Sequence, residues 1–228
     1  MSPAPSAQGG PTSARYPAMP APQEDRQWFI LSRWREYSGE ARANLLRIIA
    51  IGAFYAIELL NYHGVDLGPF EMPATVDLKF HQAMTALAVA WTMVALATHV
   101  CLRLHIFPAG LKYATTACDV ILLTTILTVA DGPRSPLVVG YFLVIAGSAL
   151  RFQLSLVWCA TLASMAGYLW LLGFARWFAA PERQLLVPRY QQLIMLVALA
   201  MTGVILGQVV RQVRSLAQEY AARLDAVR

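Results

Sequence analysis

The sequence predicts an all-α, polytopic membrane protein with six transmembrane helices and a C-terminal helical extension. Three observations predict it. Of the 228 residues, 57% are hydrophobic and only 14% charged, and mean hydropathy is +0.50. A soluble domain carries about 25% charged residues. Apolar runs close to the spanning length of about 20 residues recur along the chain. The basic residues behind the net charge of +5 flank those runs instead of forming one patch. This is the pattern of topology signals and headgroup anchors, so no nucleic-acid partner is expected.

Residues 1–26 are rich in Pro, Ala, Ser and Gly and contain no apolar stretch of signal-peptide length, which predicts a disordered cytoplasmic tail. Residues 27–43 follow. Trp28, Phe29, Ile30, Leu31 and Trp34 alternate there with Arg26, Arg33 and Arg35, the mix of an interfacial or juxtamembrane helix. Residues 44–210 are the six-helix domain. Its spans are 45–62, 81–102, 111–130, 137–150, 154–174 and 193–210. The second and third are joined by the breaker Phe107-Pro108-Ala109-Gly110, and the third and fourth by Asp131-Gly132-Pro133-Arg134-Ser135-Pro136. Span 137–150 is short enough to suit a re-entrant segment, but a crossing is favoured because snorkelling or local thinning absorbs the mismatch. With six spans, 13 of the 18 Lys and Arg residues lie on the side of the termini, so both termini are expected in the cytoplasm. The alternative with 137–150 re-entrant puts the C-terminal arginines outside.

Residues 211–228 continue the sixth helix. Val209, Val213, Leu216 and Tyr220 fall at four- and three-residue steps, the seam of a short coiled coil and a candidate relay to a partner. A helix end lying on the headgroups is the competing reading.

Ionisable groups inside apolar runs are functional candidates. Glu58 lies a turn below the outer end of the first span and Asp119 well inside the third. Asp119 is expected to pair with Arg47 or His99, or to remain protonated, and an interhelical polar contact is its foremost reading. Glu58, His63 and His81 form a candidate outer cluster, and His99 and His105 lie toward the cytoplasm. The histidines lack the arrangement of a haem or metal site, and Cys101, Cys118 and Cys159 are isolated, so no cofactor and no metal is expected. Tyr141, Phe142, Trp158, Tyr168 and Trp170 are candidates to line an apolar cavity. Gly140, Gly147, Ser148, Ala160, Ala163, Ser164 and Gly167 offer close approach of the fourth and fifth spans. Nucleotide loops, nucleophile elbows and kinase motifs are absent, so no enzymatic activity is expected.

From FHQAMTALAVAW through the ADGPRSPL turn, LRF and GYL, with Asp119 between them, the text resembles the N-terminal membrane region of bacterial adenylate/guanylate cyclases and sensor kinases. The resemblance covers roughly residues 44–215. It implies six spans, a homodimer in the bacterial inner membrane, and a C-terminal helix that relays to a cytoplasmic output domain. No cyclase or kinase sequence lies within the 228 residues, so no catalytic residue carries over. The expectation is a non-enzymatic sensor or anchor acting on a cytoplasmic signalling partner. The alternative is a small transporter or channel using Asp119 and Glu58.

Overall fold

A computed structural model describes residues 22–66, 71–72, 77–104, 110–178 and 186–226. Residues 1–21 of the expected tail lie outside the described residues, as do His105 and residues 227–228. The chain divides into two units between Arg35 and Glu36, and the account below concerns Glu36–Arg228. The described residues form six α-helices: α1 (Pro22–His63), α2 (Leu78–Arg103), α3 (Leu111–Val129), α4 (Gly140–Ala149), α5 (Leu154–Trp177) and α6 (Arg189–Ala226). Five of these contain stretches long and apolar enough to cross a membrane, and α4, with the 3-10 turn before it, is shorter. Among the described residues the molecule is thus predominantly helical, with the apolar helices of a multi-pass membrane protein. Between α1 and α2, Val65–Asp66 pairs antiparallel with Glu71–Met72.

Local chemistry sets the element ends. The Asp77 carboxylate accepts from the Leu78 N–H at the start of α2 (2.8 Å). Past α3 the chain turns at Gly132, whose φ of 60° suits glycine best, and Pro133 bars continuation of the helix. Gly132 and Pro133 are buried, so this turn packs into the molecule. Ser135 Oγ then accepts from the Leu137 N–H (3.3 Å), with Pro136 at the first position of the next 3-10 turn. Inside the helices, Thr92, Thr98, Thr116, Thr125, Thr161 and Thr202 each donate to the carbonyl four residues back. Their hydroxyls therefore need no water in an apolar surrounding.

The centre of the bundle is α5, packed against α3, α4 and α6. Leu127, Tyr141, Ile145, Val157, Tyr168, Leu171 and Leu199 form its buried core. Close approach depends on small residues: Gly167 of α5 lies against Tyr141 of α4, as expected of the fourth and fifth spans, and both Gly140 and Gly167 also approach α3. A Cβ at Gly140 would lie 2.9 Å from Leu123 Cδ1 of α3, and one at Gly167 would lie 2.7 Å from Thr124 Oγ1, also of α3. Gly203 of α6 leaves the space filled by Thr161 of α5. Thr124 donates to the Val120 carbonyl (2.7 Å) and therefore accepts from the Tyr141 hydroxyl (2.8 Å).

Helix α4 runs antiparallel to α3. Tyr141 sits level with Thr124, and Arg151, just past the end of α4, reaches back to Lys112 and Thr116 at the start of α3. Polar side chains of α1 reach across to α2 and α3, and a chamber lies between α1, α3 and α4.

Candidate functional site

Two ion pairs meet beside this chamber. Asp119 of α3 receives Arg47 of α1 in bidentate fashion, with Nε on Oδ1 and Nη2 on Oδ2, both at 2.7 Å. The indole Nε1–H of Trp91, on α2, donates to the same Oδ1 at 2.8 Å. Arg47 Nη1 donates to Asn44 Oδ1 (2.8 Å), and Asn44 Nδ2 donates to the Ala95 carbonyl of α2 (3.1 Å). One carboxylate thus ties three helices together, with both oxygens acting as acceptors in the geometry that makes arginine–carboxylate pairs strong.

The second pair joins Arg151 to Glu40, with Nη2 to Oε1 at 2.7 Å and side chains 6% and 2% exposed. The charges are close, although the angle is not that of a hydrogen bond. Arg151 Nη1 donates to the Lys112 carbonyl (2.9 Å) and to Thr116 Oγ1 (2.8 Å), and Nη2 donates to Thr115 Oγ1 (3.2 Å). Its Nε is buried without a partner among the described residues. Burial pulls the Arg151 guanidinium below its ordinary value, and the nearby Glu40 carboxylate counters that pull. Together the two arginines and two carboxylates form a charge-balanced quartet drawn from α1, α3 and the α4–α5 corner.

The chamber beside them has a volume of ≈ 270 Å³. Arg47, Asp119, Arg151, Trp91, Thr116 and Ser148 give it a polar side, and the rest of its wall is apolar. Leu46 and Ile49 of α1 and Leu143 of α4 line it while remaining exposed on the outer surface, so it opens sideways through an apolar rim. Of the aromatics expected to line a cavity, none lines this chamber, while Trp170 lines a separate pocket between α3 and α5 with Val120, Ile121, Ala163 and Gly167. Tyr141 and Tyr168 are core residues, and Trp158 and Trp170 face outward.

The outer cluster is brought together in part. His81 Nδ1 and Glu58 Oε1 are 2.9 Å apart, and Tyr62 stacks on the His81 ring with centroids 4.0 Å apart. His63 instead turns its Nδ1 to the Leu59 carbonyl of its own helix (3.1 Å) and meets Tyr62 edge-on. His99 is exposed on α2, away from Asp119, whose cationic partner is Arg47. Among the described residues no group of His, Cys, Asp and Glu has the arrangement of a metal site.

On the relay face, Val209, Val213, Leu216 and Tyr220 are 48%, 41%, 46% and 67% exposed. They extend a stripe of exposed apolar residues that begins at Leu193 and Ile194. Arg214 Nε donates to the Phe152 carbonyl (2.7 Å), which fastens α6 to the α4–α5 corner. Phe152 holds a φ of 50°, the left-handed region, which costs a side-chain-bearing residue of order 1–3 kcal/mol. The sequence reading missed Glu40 and Arg151. Glu40 stands in a polar stretch ahead of the first apolar run, and Arg151 stands among the basic residues that flank apolar runs, where a charge is ordinary.

No protein-family model, no curated protein and no solved structure matches the chain.

Proposed function

We propose that the protein is a non-enzymatic membrane sensor or anchor module of a bacterial signalling system, passing its state through α6 to a cytoplasmic partner. The observation that carries this reading is the junction at the α4–α5 corner. Arg151 belongs to the buried quartet and the next residue, Phe152, is gripped by Arg214 of α6. A change in packing around the quartet therefore has a two-residue path to the helix that leaves the bundle. In this reading the module crosses the bacterial inner membrane six times with both termini in the cytoplasm. The antiparallel run of α4 along α3 supports counting 136–149 as a crossing, because a re-entrant segment would return to the level at which it began. The resemblance to the membrane regions of cyclases and sensor kinases is consistent with the same role.

A transporter or channel fits less well. Glu58 and Arg47 lie eleven residues apart on α1, about 16 Å at 1.5 Å per residue. Apart from Tyr55, the residues between them are apolar or glycine. The two polar sites are thus separated along α1, and Asp119 is held by three N–H donors.

The exposed stripe from Val209 to Tyr220 is proposed to meet the same stripe of a second copy, forming a homodimer. Single cysteines at Val213 and Leu216, in a chain whose native cysteines are replaced, should crosslink across the dimer in native membranes. Cysteines at Arg211 and Ser215 should not. Equal crosslinking at all four positions, or none at any, would retire the relay reading.

A further inference from the structure

We infer that the chamber between α1, α3 and α4 is a binding site for an uncharged, carbonyl-headed lipophile that enters sideways from the hydrocarbon layer. Its entrance is apolar, because Leu46, Ile49 and Leu143 line the chamber and are exposed on the outer surface. A water-borne polar solute would find no polar rim there. The volume, ≈ 270 Å³, lies just below the usual range of about 300–1,000 Å³ for small-molecule sites. It accommodates a headgroup and the start of a chain whose remainder stays among the lipids.

Hydrogen-bond supply selects the head. The two hydroxyls facing the chamber have their hydrogens committed to their own helices, Thr116 to the Lys112 carbonyl and Ser148 to the Ile145 carbonyl. The Trp91 N–H is committed to Asp119. What remains is donor capacity on arginine. Arg151 lines the chamber, its side chain is more than nine-tenths buried, and its Nε is without a partner among the described residues. A buried donor without an acceptor is costly, and a ligand that brings an acceptor relieves that cost. Charge then separates carbonyl from carboxylate. Arg47 and Arg151 already face Asp119 and Glu40, so an incoming anion would add an unbalanced buried charge. A ketone, quinone or ester carbonyl offers the acceptor without the charge.

The inference deepens the sensor reading by naming what its chamber takes. It is tested on the isolated chain, so the absence of an output partner would leave it standing. The probe is a long-chain methyl ketone bearing a diazirine, photolysed with the purified full-length protein in lipid nanodiscs. Label is expected on peptides from 43–54 and 140–151. The unlabelled ketone should displace it about tenfold better than the alkane or the carboxylate of equal chain length, the scale of one hydrogen bond to a charged donor. Two variants fill the site without touching the quartet. Gly147→Leu has room, since a Cβ there meets only Leu46 Cδ2 at 4.0 Å, and Ile49→Trp closes the exposed entrance. Either should abolish the label. Equal displacement by alkane would reduce the chamber to an ordinary acyl-chain groove and overturn the inference. Stronger displacement by carboxylate, or label that survives both variants, would overturn it as well.

Discussion

Asp119 shows how one side chain in an apolar setting is made tolerable. Its two oxygens receive three N–H groups from α1 and α2, so removing the charge leaves Arg47 buried beside a poorer partner. Asp119→Asn should lower stability by about 3 kcal/mol, read as the shift in thermal or denaturant unfolding of the detergent-solubilised protein. The double variant Arg47→Met/Asp119→Leu should recover most of the loss, because an apolar pair of similar volume costs no desolvation. A double variant no better than the single one would mean that the pair does more than neutralise itself. At the Glu58–His81 pair, His81→Ala removes both the partner of Glu58 and the ring stacked on Tyr62, with an expected loss of about 1–3 kcal/mol. His81→Phe keeps the stacking and should lose less. Asp119 and Glu58 were legible in the sequence because a carboxylate inside an apolar run is conspicuous, and Arg47 was already a named partner. Glu40 and Arg151 were not legible, since each lies at the edge of an apolar run where charge is ordinary. Their meeting depends on α1 and the α4–α5 corner arriving at one place.

At the scale of elements, the helices themselves were the most readable part, because hydropathy and the Gly-Pro turns are local signals. Which helix faces which was readable only in part. The Arg47–Asp119 pairing of α1 with α3 and the contact of the fourth and fifth spans were expected, and the approach of α3 to Gly140 and Gly167 was not. Gly140 and Gly167 were expected to serve contact between the fourth and fifth spans, yet both also make room for residues of α3. Small residues announce a close approach without naming the neighbour. The tightest of these contacts is Gly203 against Thr161. Gly203→Leu should destabilise the α5–α6 packing by about 1–3 kcal/mol, the usual cost of overpacking, and Thr161→Gly in the same chain should restore part of it. If Gly203→Leu unfolds at the same temperature as the parent protein, α6 is free to move off α5.

For the whole molecule, the question is how many times the chain crosses. The 3-10 turn and α4 rise together about 23 Å, from 2.0 Å per residue over the turn and 1.5 Å over the helix, against about 30 Å of hydrocarbon. With the native cysteines replaced, Asp131→Cys and Leu186→Cys should react with an impermeant thiol reagent from one side of the membrane. Arg103→Cys and Ser155→Cys should react from the other. If Ser155→Cys reacts together with Asp131→Cys, segment 136–149 does not cross and the proposed topology fails.

The contact between Gly203 and Thr161 also constrains how α6 can move. A threonine seated in the gap left by a glycine obstructs sliding along the helix axis more than tilt, and a tilt there is opposed by the Arg214–Phe152 bond further along α6. From Gly203 the arm to Tyr220 is about 25 Å at 1.5 Å per residue. A tilt of about 3° would therefore carry Tyr220 sideways by more than 1 Å, while Val197, on the short arm, swings the opposite way. Spin labels at 197 and 220, each measured against a fixed label on α5, should then report displacements of opposite sign, whereas a piston would give the same axial shift at both.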